Sequence, residues 1–250
     1  RRGGAAGAVN DRHQNRYRLR LSAEMKLPQD VTAFARLGSG TGEQVSTNQT
    51  YGNLSNEKAV WIDQVWAKWN PQFDAGSAYL TSGKMQNMLW RAYSADIVWD
   101  DDFNPEGFQE GGEYIIPDLG LTLFGNALQL IANESATKGT QFGFSQQLGF
   151  EKTLPWQTRL KTAVAYHKWS DENRASLDAA PAAVQDGNRR LAGNILANHF
   201  GVFEVTSQLS GWAGMMPINV QATVIRNMSA RGDLASVAAA CPAGQTCPAT

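Results

Sequence analysis

Residues 17 to 27 alternate without interruption between apolar and polar side chains, and this pattern constrains the fold more than any other feature. The apolar set is Tyr17, Leu19, Leu21, Ala23, Met25 and Leu27, and the polar set is Arg16, Arg18, Arg20, Ser22, Glu24 and Lys26. A period of two indicates a β-strand, because successive side chains point to opposite faces. Soluble strands usually have about 5–6 residues, whereas strands that span a bilayer need roughly 9–11. The pattern therefore favours a wall between lipid and water.

The composition fits one large all-β domain that covers residues 1–250. The chain has 250 residues, of which 42% are hydrophobic, and its formal net charge is −1. No window approaches the roughly 18 consecutive apolar residues of a transmembrane helix. A barrel wall needs no such window, because only alternate residues of its strands face lipid. The near-neutral charge gives no indication of a nucleic-acid partner.

Short and long connections alternate along the chain. Short turns, such as residues 28–30, join strand-like segments in pairs, and longer segments rich in Gly, Ser and Asn separate the pairs. The predicted strands are residues 17–27, 31–37, 60–69, 77–85, 107–115, 121–131, 141–151, 157–168, 195–209 and 218–227. About ten antiparallel strands with this rhythm predict an up-and-down transmembrane β-barrel.

Aromatic side chains mark both ends of the predicted strands. Those near the short turns are Trp69, Phe73, Trp156 and Trp212, and those near the long connections are Tyr17, Trp61 and Trp169. Amphipathic rings collect at the two membrane–water interfaces, so two belts favour a membrane-spanning sheet. Aromatic residues that cap a soluble core are the alternative explanation.

Four segments in the first part of the chain carry a family resemblance. They are DRHQNRYRLRLSAEMKLPQDVTAFARLGSGTGEQVSTNQTYGN, WIDQVWAKW, SGKMQN and WDDDFNPEG. In this order they resemble the bacterial putative porin family, most clearly over residues 11–110, with VSTNQT and NPEG as the more specific markers. The later strands resemble the family in the alternation of short and long connections more than in sequence motifs.

The resemblance implies an outer-membrane β-barrel through which small hydrophilic solutes pass. It does not identify the solute, because a fold does not fix a function. Family members have further strands on both sides of this region, whereas this chain opens in a loop-like segment and ends in AAACPAGQTCPAT. We therefore expect the chain to form an incomplete portion of a larger barrel.

The polar faces of several predicted strands carry positively charged side chains. These candidate pore-lining residues are Arg16, Arg18, Arg20, Arg36, Arg159 and Lys161. Cationic walls of a water-filled pore favour anions, so the sequence predicts a modest anion preference. The alternative is that these residues lie near the ends of the lumen and only keep its interior hydrated.

An acidic segment follows Trp99, and its candidate pore-loop residues are Asp100, Asp101, Asp102 and Glu106. We expect this loop to lie at or inside the pore mouth and to face the arginines across water. A solvated surface loop is the alternative. Asp100, Asp102 and Asn104 have the spacing that opens a calcium-binding EF-hand loop, but Pro105 and Gly111 replace its turn glycine and bidentate glutamate. Neither a metal site nor a cofactor is predicted.

The sequence gives little support for an enzyme. Its histidines are His13, His167 and His199, and the G-x-S-x-G motif of hydrolases is absent. His167 is close in sequence to Ser170 and Asp171. Nucleophilic catalysis needs a base within hydrogen-bond reach of the hydroxyl, which proximity in sequence does not provide. We therefore predict no catalytic residues.

Cys241 and Cys247 lie together in the last polar segment of the chain. Such a pair outside the cytoplasm most simply forms a disulfide that closes a small ring. We expect the two thiols to be joined in protein recovered from an oxidising compartment, and reduction to leave the sheet intact. Mass spectrometry after alkylation without reduction checks this expectation, and quantitative labelling of both thiols would contradict it.

Together these features favour a porin of the bacterial outer membrane, in contact with lipid, through which small hydrophilic solutes or ions diffuse passively. Assembly into a homo-oligomer is compatible with this hypothesis. One alternative is a secreted or surface β-sandwich that binds carbohydrate through exposed tryptophans. Another is a plugged barrel that serves as a structural anchor.

Overall fold

The computed structural model describes residues 14–40, 46–52, 56–92, 97–134, 139–170 and 199–230, and these residues form an all-β antiparallel structure. The elements are β1 (Arg16–Tyr17), β2 (Arg20–Leu27), β3 (Val31–Ser39), β4 (Gln49–Thr50), β5 (Val60–Trp69), β6 (Gln72–Phe73), β7 (Gly76–Lys84), β8 (Glu106–Ile116), a single-turn 3-10 helix (Pro117–Leu119), β9 (Leu121–Asn133), β10 (Gln141–Leu154), β11 (Thr158–Trp169), β12 (Gly201–Ala213) and β13 (Met216–Asn227). Within these ranges, no helix has the length and apolar character needed to cross a membrane.

One antiparallel sheet contains every long strand. Its hydrogen-bonded order is β2, β3, β5, β7, β8, β9, β10, β11, β12 and β13, with β6 added beside β7. This sequential order confirms the predicted all-β meander. The sheet is not closed: β2 and β13 are its two edges and are not paired with each other.

Two of the short turns share the sequence pattern Leu-Pro-x-x and the same backbone geometry. They connect β2 to β3 and β10 to β11. Their last two residues have φ between 56° and 62°, and these residues are Gln29, Asp30, Trp156 and Gln157. Consecutive left-handed residues match the right-handed twist of the flanking strands, so the turns fix the register of both hairpins.

The regular alternation of residues 17–27 does not form a single strand. The main-sheet strand β2 begins at Arg20, and the preceding β1 pairs instead with β4 in a separate two-stranded sheet. The interruption falls at Arg18, whose guanidinium group donates hydrogen bonds to Asn48 and Asp102. The side-chain contacts of Arg18 therefore accompany a change of strand partner that the alternation alone did not predict.

The two faces of the sheet have opposite character. In β10, the polar residues Gln141, Ser145 and Gln147 are buried. The apolar residues Phe142 and Leu148, which point to the other face, are exposed. The buried side, here called the polar face, also includes Gln64, Gln109, His167, Glu204 and Thr206. The exposed side, here called the apolar face, also includes Leu21, Leu80, Val164, Phe203 and Val220. A soluble sheet normally shows the reverse distribution, with polar residues facing water.

The described residues of the connection between β7 and β8 lie against the polar face. These residues, 85–92 and 97–105, are called the inner loop below. Its buried side chains Met85, Leu89 and Trp99 form a small hydrophobic cluster with Leu128 and Leu130 of β9. The cluster places the inner loop against the sheet rather than in the surrounding solvent.

Candidate functional site

Two glutamines of the polar face hold the backbone of the inner loop. The Gln109 amide accepts a hydrogen bond from the Met88 N–H at 2.7 Å and donates one to the Gln86 carbonyl at 2.8 Å. The Gln147 amide does the same for Trp90, with distances of 2.8 and 2.7 Å. Each side chain replaces the partner that a neighbouring strand would supply, so these backbone groups of Gln86, Met88 and Trp90 are hydrogen-bonded.

The predicted arginines and the predicted acidic loop are in direct contact. Asp102 of the inner loop forms ion pairs of 2.8 Å with both Arg18 and Arg20. Asp63 of β5 contacts Arg36 at 2.6 Å and lies 3.5 Å from Arg20. These five residues are called the arginine cluster below. The sequence predicted that the opposite charges face each other across water, whereas the structure shows ion pairs.

Asn104 joins the arginine cluster to the end of the inner loop. Its side-chain amide donates to Asp63 Oδ1 at 2.8 Å, and its side-chain oxygen accepts from Gln64 Nε2 at 2.6 Å. All three residues are buried. Because Asn104 belongs to the NPEG marker, this segment has a structural role in fixing the loop against β5.

Another ion pair lies within the inner loop itself. Arg91 Nη2 contacts Asp101 at 2.5 Å, and Arg91 Nη1 donates to the Trp99 carbonyl at 2.7 Å. Asp100 accepts a hydrogen bond from the Asp102 N–H at 2.7 Å. These contacts hold the acidic segment in a tight turn, from which Asp102 reaches the arginines.

A buried histidine lies where the inner loop meets β11. His167 Nδ1 is 2.8 Å from Ser145 Oγ and 3.3 Å from Trp99 Nε1, and His167 Nε2 is 3.3 Å from Glu204 Oε2. Thr206 donates to the second Glu204 oxygen at 2.8 Å. Although serine, histidine and carboxylate are combined here, Ser145 is only 1% exposed, so the hydroxyl is inaccessible to a substrate.

The predicted cations of β11 form a separate group nearer the short turns. Lys161 Nζ lies 4.7 Å from the ring centroid of Phe124 and 5.2 Å from that of Trp90. Glu151 contacts Lys161 at 3.5 Å and Arg159 at 3.7 Å. Aromatic faces attract cations, so Lys161 is held by both rings as well as by the carboxylate.

The other predicted residues do not join the arginine cluster. Arg16 lies in β1 and donates to Gln14 at 3.2 Å. Glu106 begins β8 and pairs with Lys84 at 3.2 Å. The predicted disulfide falls at residues 241 and 247, outside the described residues. Across the described ranges, no group of three or more His, Cys, Asp or Glu side chains could hold a metal ion.

Sequence reasoning missed Asp63 because it occupies a β-bulge. Arg36 pairs with Gln64 and Leu37 pairs with Ile62, so Asp63 is an extra residue without a partner on β3. The bulge places both Asp63 and Gln64 on the buried side and interrupts the alternation of β5. The available signal was the adjacent polar pair inside an otherwise alternating strand.

The fold and the site define an antiparallel all-β protein with a covered polar face and an exposed apolar face. The profile of the family described as Putative porin matches residues 5–201. The chain therefore belongs to the putative porin family. No curated protein and no solved structure shows significant similarity to the chain.

Proposed function

We propose that the protein is an outer-membrane porin for passive diffusion of small hydrophilic solutes or ions, without enzymatic activity. In this proposal the apolar face contacts lipid and the polar face lines a water-filled lumen. The observation that carries it is the reversed polarity of the sheet, with Leu148 68% exposed and Gln109 1% exposed. Extended apolar surface is unfavourable in water but is required on the outer wall of a membrane barrel.

Closure of the sheet is part of the proposal. Strands β2 and β13 form the edges of the described sheet. A bilayer core offers no water to unpaired backbone N–H and C=O groups, so open edges cannot face lipid. We therefore propose that in the outer membrane these edges pair with each other or with further strands. The resulting barrel encloses the inner loop.

The exposed aromatic residues near the short turns support the membrane orientation. Trp69, Phe73, Trp156 and Trp212 are all exposed at this end of the sheet. Tryptophan at such positions can place its apolar ring in the interface and its N–H in water. This belt supports an arrangement in which the short turns lie at one membrane surface.

A plugged barrel is the second candidate, because the inner loop packs Met85, Leu89 and Trp99 against the polar face. Planar-bilayer recordings of the reconstituted protein distinguish a porin with a narrowed lumen from a plugged anchor. Discrete conductance steps support the porin. Inserted protein that keeps its β-sheet circular dichroism but never conducts supports the anchor. Protein that remains folded in aqueous buffer without detergent contradicts both.

In this proposal the ion preference depends on the net charge of the arginine cluster. Arg18, Arg20 and Arg36 oppose the carboxylates of Asp63 and Asp102, which leaves a small excess of positive charge. We propose a modest anion preference on this basis. Fixed charges act within about one Debye length, roughly 8 Å at physiological salt, so the preference should fade at high salt.

Replacing Arg18 and Arg20 together by glutamine should shift the channel toward cation preference. The change leaves Asp102 without either of its two arginine partners and reverses the sign of the local excess charge. The measurement is the reversal potential across a planar bilayer in a salt gradient.

Arg16→Gln is the matched control for this prediction. Arg16 carries the same charge but lies in β1, outside the arginine cluster. The reversal potential should therefore stay close to that of the unchanged protein. An equal shift for both variants, or no shift for the double variant, would remove the arginine cluster from the conducting path.

A further inference from the structure

Trp99 is a point at which the inner loop contacts a titratable side chain of the sheet. Its indole stacks on Phe103 with ring centroids 5.5 Å apart and lies 6.1 Å from the Trp169 ring. Its N–H points to Nδ1 of His167, and both side chains are buried. The loop is thus joined to β11 through a hydrogen bond whose acceptor can take up a proton.

The partners of His167 define which ring nitrogen carries hydrogen. An indole N–H can only donate, so Nδ1 must accept from Trp99 and carries no hydrogen itself. Nε2 then carries the hydrogen and donates a hydrogen bond to the Glu204 carboxylate. While Nδ1 carries no hydrogen, the Ser145 hydroxyl donates to it, and the same hydroxyl can accept once Nδ1 is protonated. The contacts therefore require neutral His167 with its hydrogen on Nε2.

We propose that His167 is a pH-sensitive positioning residue that holds Trp99 and the adjoining part of the inner loop on the polar face while the imidazole is neutral. The proposal rests on the porin function proposed above. A proton taken from water by Nδ1 converts this atom from an acceptor into a donor. The charged ring keeps its sheet partners, because Ser145 accepts from Nδ1–H and Glu204 accepts from Nε2–H. Trp99 loses its acceptor, so acid removes the hydrogen bond between this part of the loop and β11 and favours its movement away from the strand.

Charged groups of β12 and of the inner loop lie near the His167 imidazole. Glu204 on β12 stabilises the imidazolium, and Arg91 of the inner loop lies close enough for its positive charge to act on Glu204. Asp101 pairs with Arg91 and partly offsets that charge. Strand β10 contributes the uncharged Ser145.

Single-channel conductance tests the proposal, measured at about pH 8 and about pH 5, on either side of the ordinary range of histidine titration. We expect the reconstituted protein to conduct more at acid pH, because the released loop leaves more of the lumen open. His167→Gln should keep the lower conductance at both pH values, since a glutamine amide still accepts from Trp99 and does not titrate in this range. Trp99→Phe should give the higher conductance at both, because phenylalanine has no N–H to donate.

Two further variants separate this role from a general effect on stability. Glu204→Gln should move the conductance change to lower pH, because the imidazolium loses the anion that stabilises it. His199→Gln is the matched control, since His199 lies outside the contacts between Trp99 and β11. This control should respond to pH like the unchanged protein.

The outcomes distinguish the failure of this inference from the failure of the porin function. Channels whose conductance is equal at both pH values, or higher at neutral pH, would overturn the role of His167 and leave the porin function standing. Complete absence of channels would contradict the porin function and this inference with it. A pH response that persists in His167→Gln would also overturn the inference. If His167→Gln fails to insert, Trp99→Phe replaces it in the test. A conductance of Trp99→Phe that still changes with pH would also overturn the inference.

Discussion

Replacing Leu148 by arginine is expected to destabilise the folded protein in a bilayer by about 2–4 kcal/mol, the cost of a cation near the midplane of a membrane barrel. Leu148 lies near the middle of β10, pairs with Gly125 and Val164, and is 68% exposed on the apolar face. In water, an arginine at such an exposed position would cost little. The measurement is the free energy of unfolding from liposomes in urea, followed by tryptophan fluorescence.

Met215→Arg provides the control at a different depth. Met215 lies in the short turn between β12 and β13 and is 95% exposed. The same cation there should cost only about 0–1 kcal/mol, as at a membrane interface. Equal costs at the two positions would contradict the proposed lipid-facing role of the apolar face.

Removing the carboxylate of Asp63 should also destabilise the fold, by about 1.5–3 kcal/mol, the range for hydrogen bonds that involve charged groups. Asp63 accepts from Arg36 and Asn104 and lies beside Arg20. Its side chain is only 6% exposed, so little water can take the place of the carboxylate after Asp63→Ala. The partly exposed arginines recover some hydration, which keeps the loss below the roughly 3–5 kcal/mol of a fully buried pair.

A double-mutant cycle with Arg36→Ala tests whether this loss arises from the ion pair. The two changes together should cost less than the sum of the single changes, because each single variant leaves a charge without its partner. Glu24→Ala is the control, since Glu24 is exposed and forms only a 3.9 Å contact with Lys26. Loss of stability in Glu24→Ala equal to that in Asp63→Ala would indicate a general effect of removing carboxylates.

The strands and their two faces were largely predictable from the sequence. The alternation of Phe142, Phe144 and Leu148 with polar residues in β10 reappears as exposed and buried positions. A period of two is local information, because the pleat of the backbone alone decides which side chains share a face. For the same reason, the short turns could be located from Pro, Asn, Asp and Gly between alternating segments.

The partners within the site were less predictable because they depend on register and on the path of a long loop. The Glu204 and Ser145 partners of His167 lie on neighbouring strands, at positions that only the pairing of β10, β11 and β12 defines. Opposite charges on the inner loop and on β2 indicated an attraction. The sequence did not reveal that Asp102 reaches Arg18 and Arg20, because the hydrophobic cluster and two glutamines direct the loop there.

The sequential strand order has a consequence for how the protein folds. Each hairpin closes a short segment of chain at a low cost in entropy, whereas the contact between Arg18 and Asp102 joins residues 84 positions apart. Loop-closure entropy rises with this separation, and contacts of high sequence separation slow folding. We therefore expect the inner loop to dock after the hairpins from β2 to β8 have assembled. In that order the wall forms before the contacts that narrow its interior.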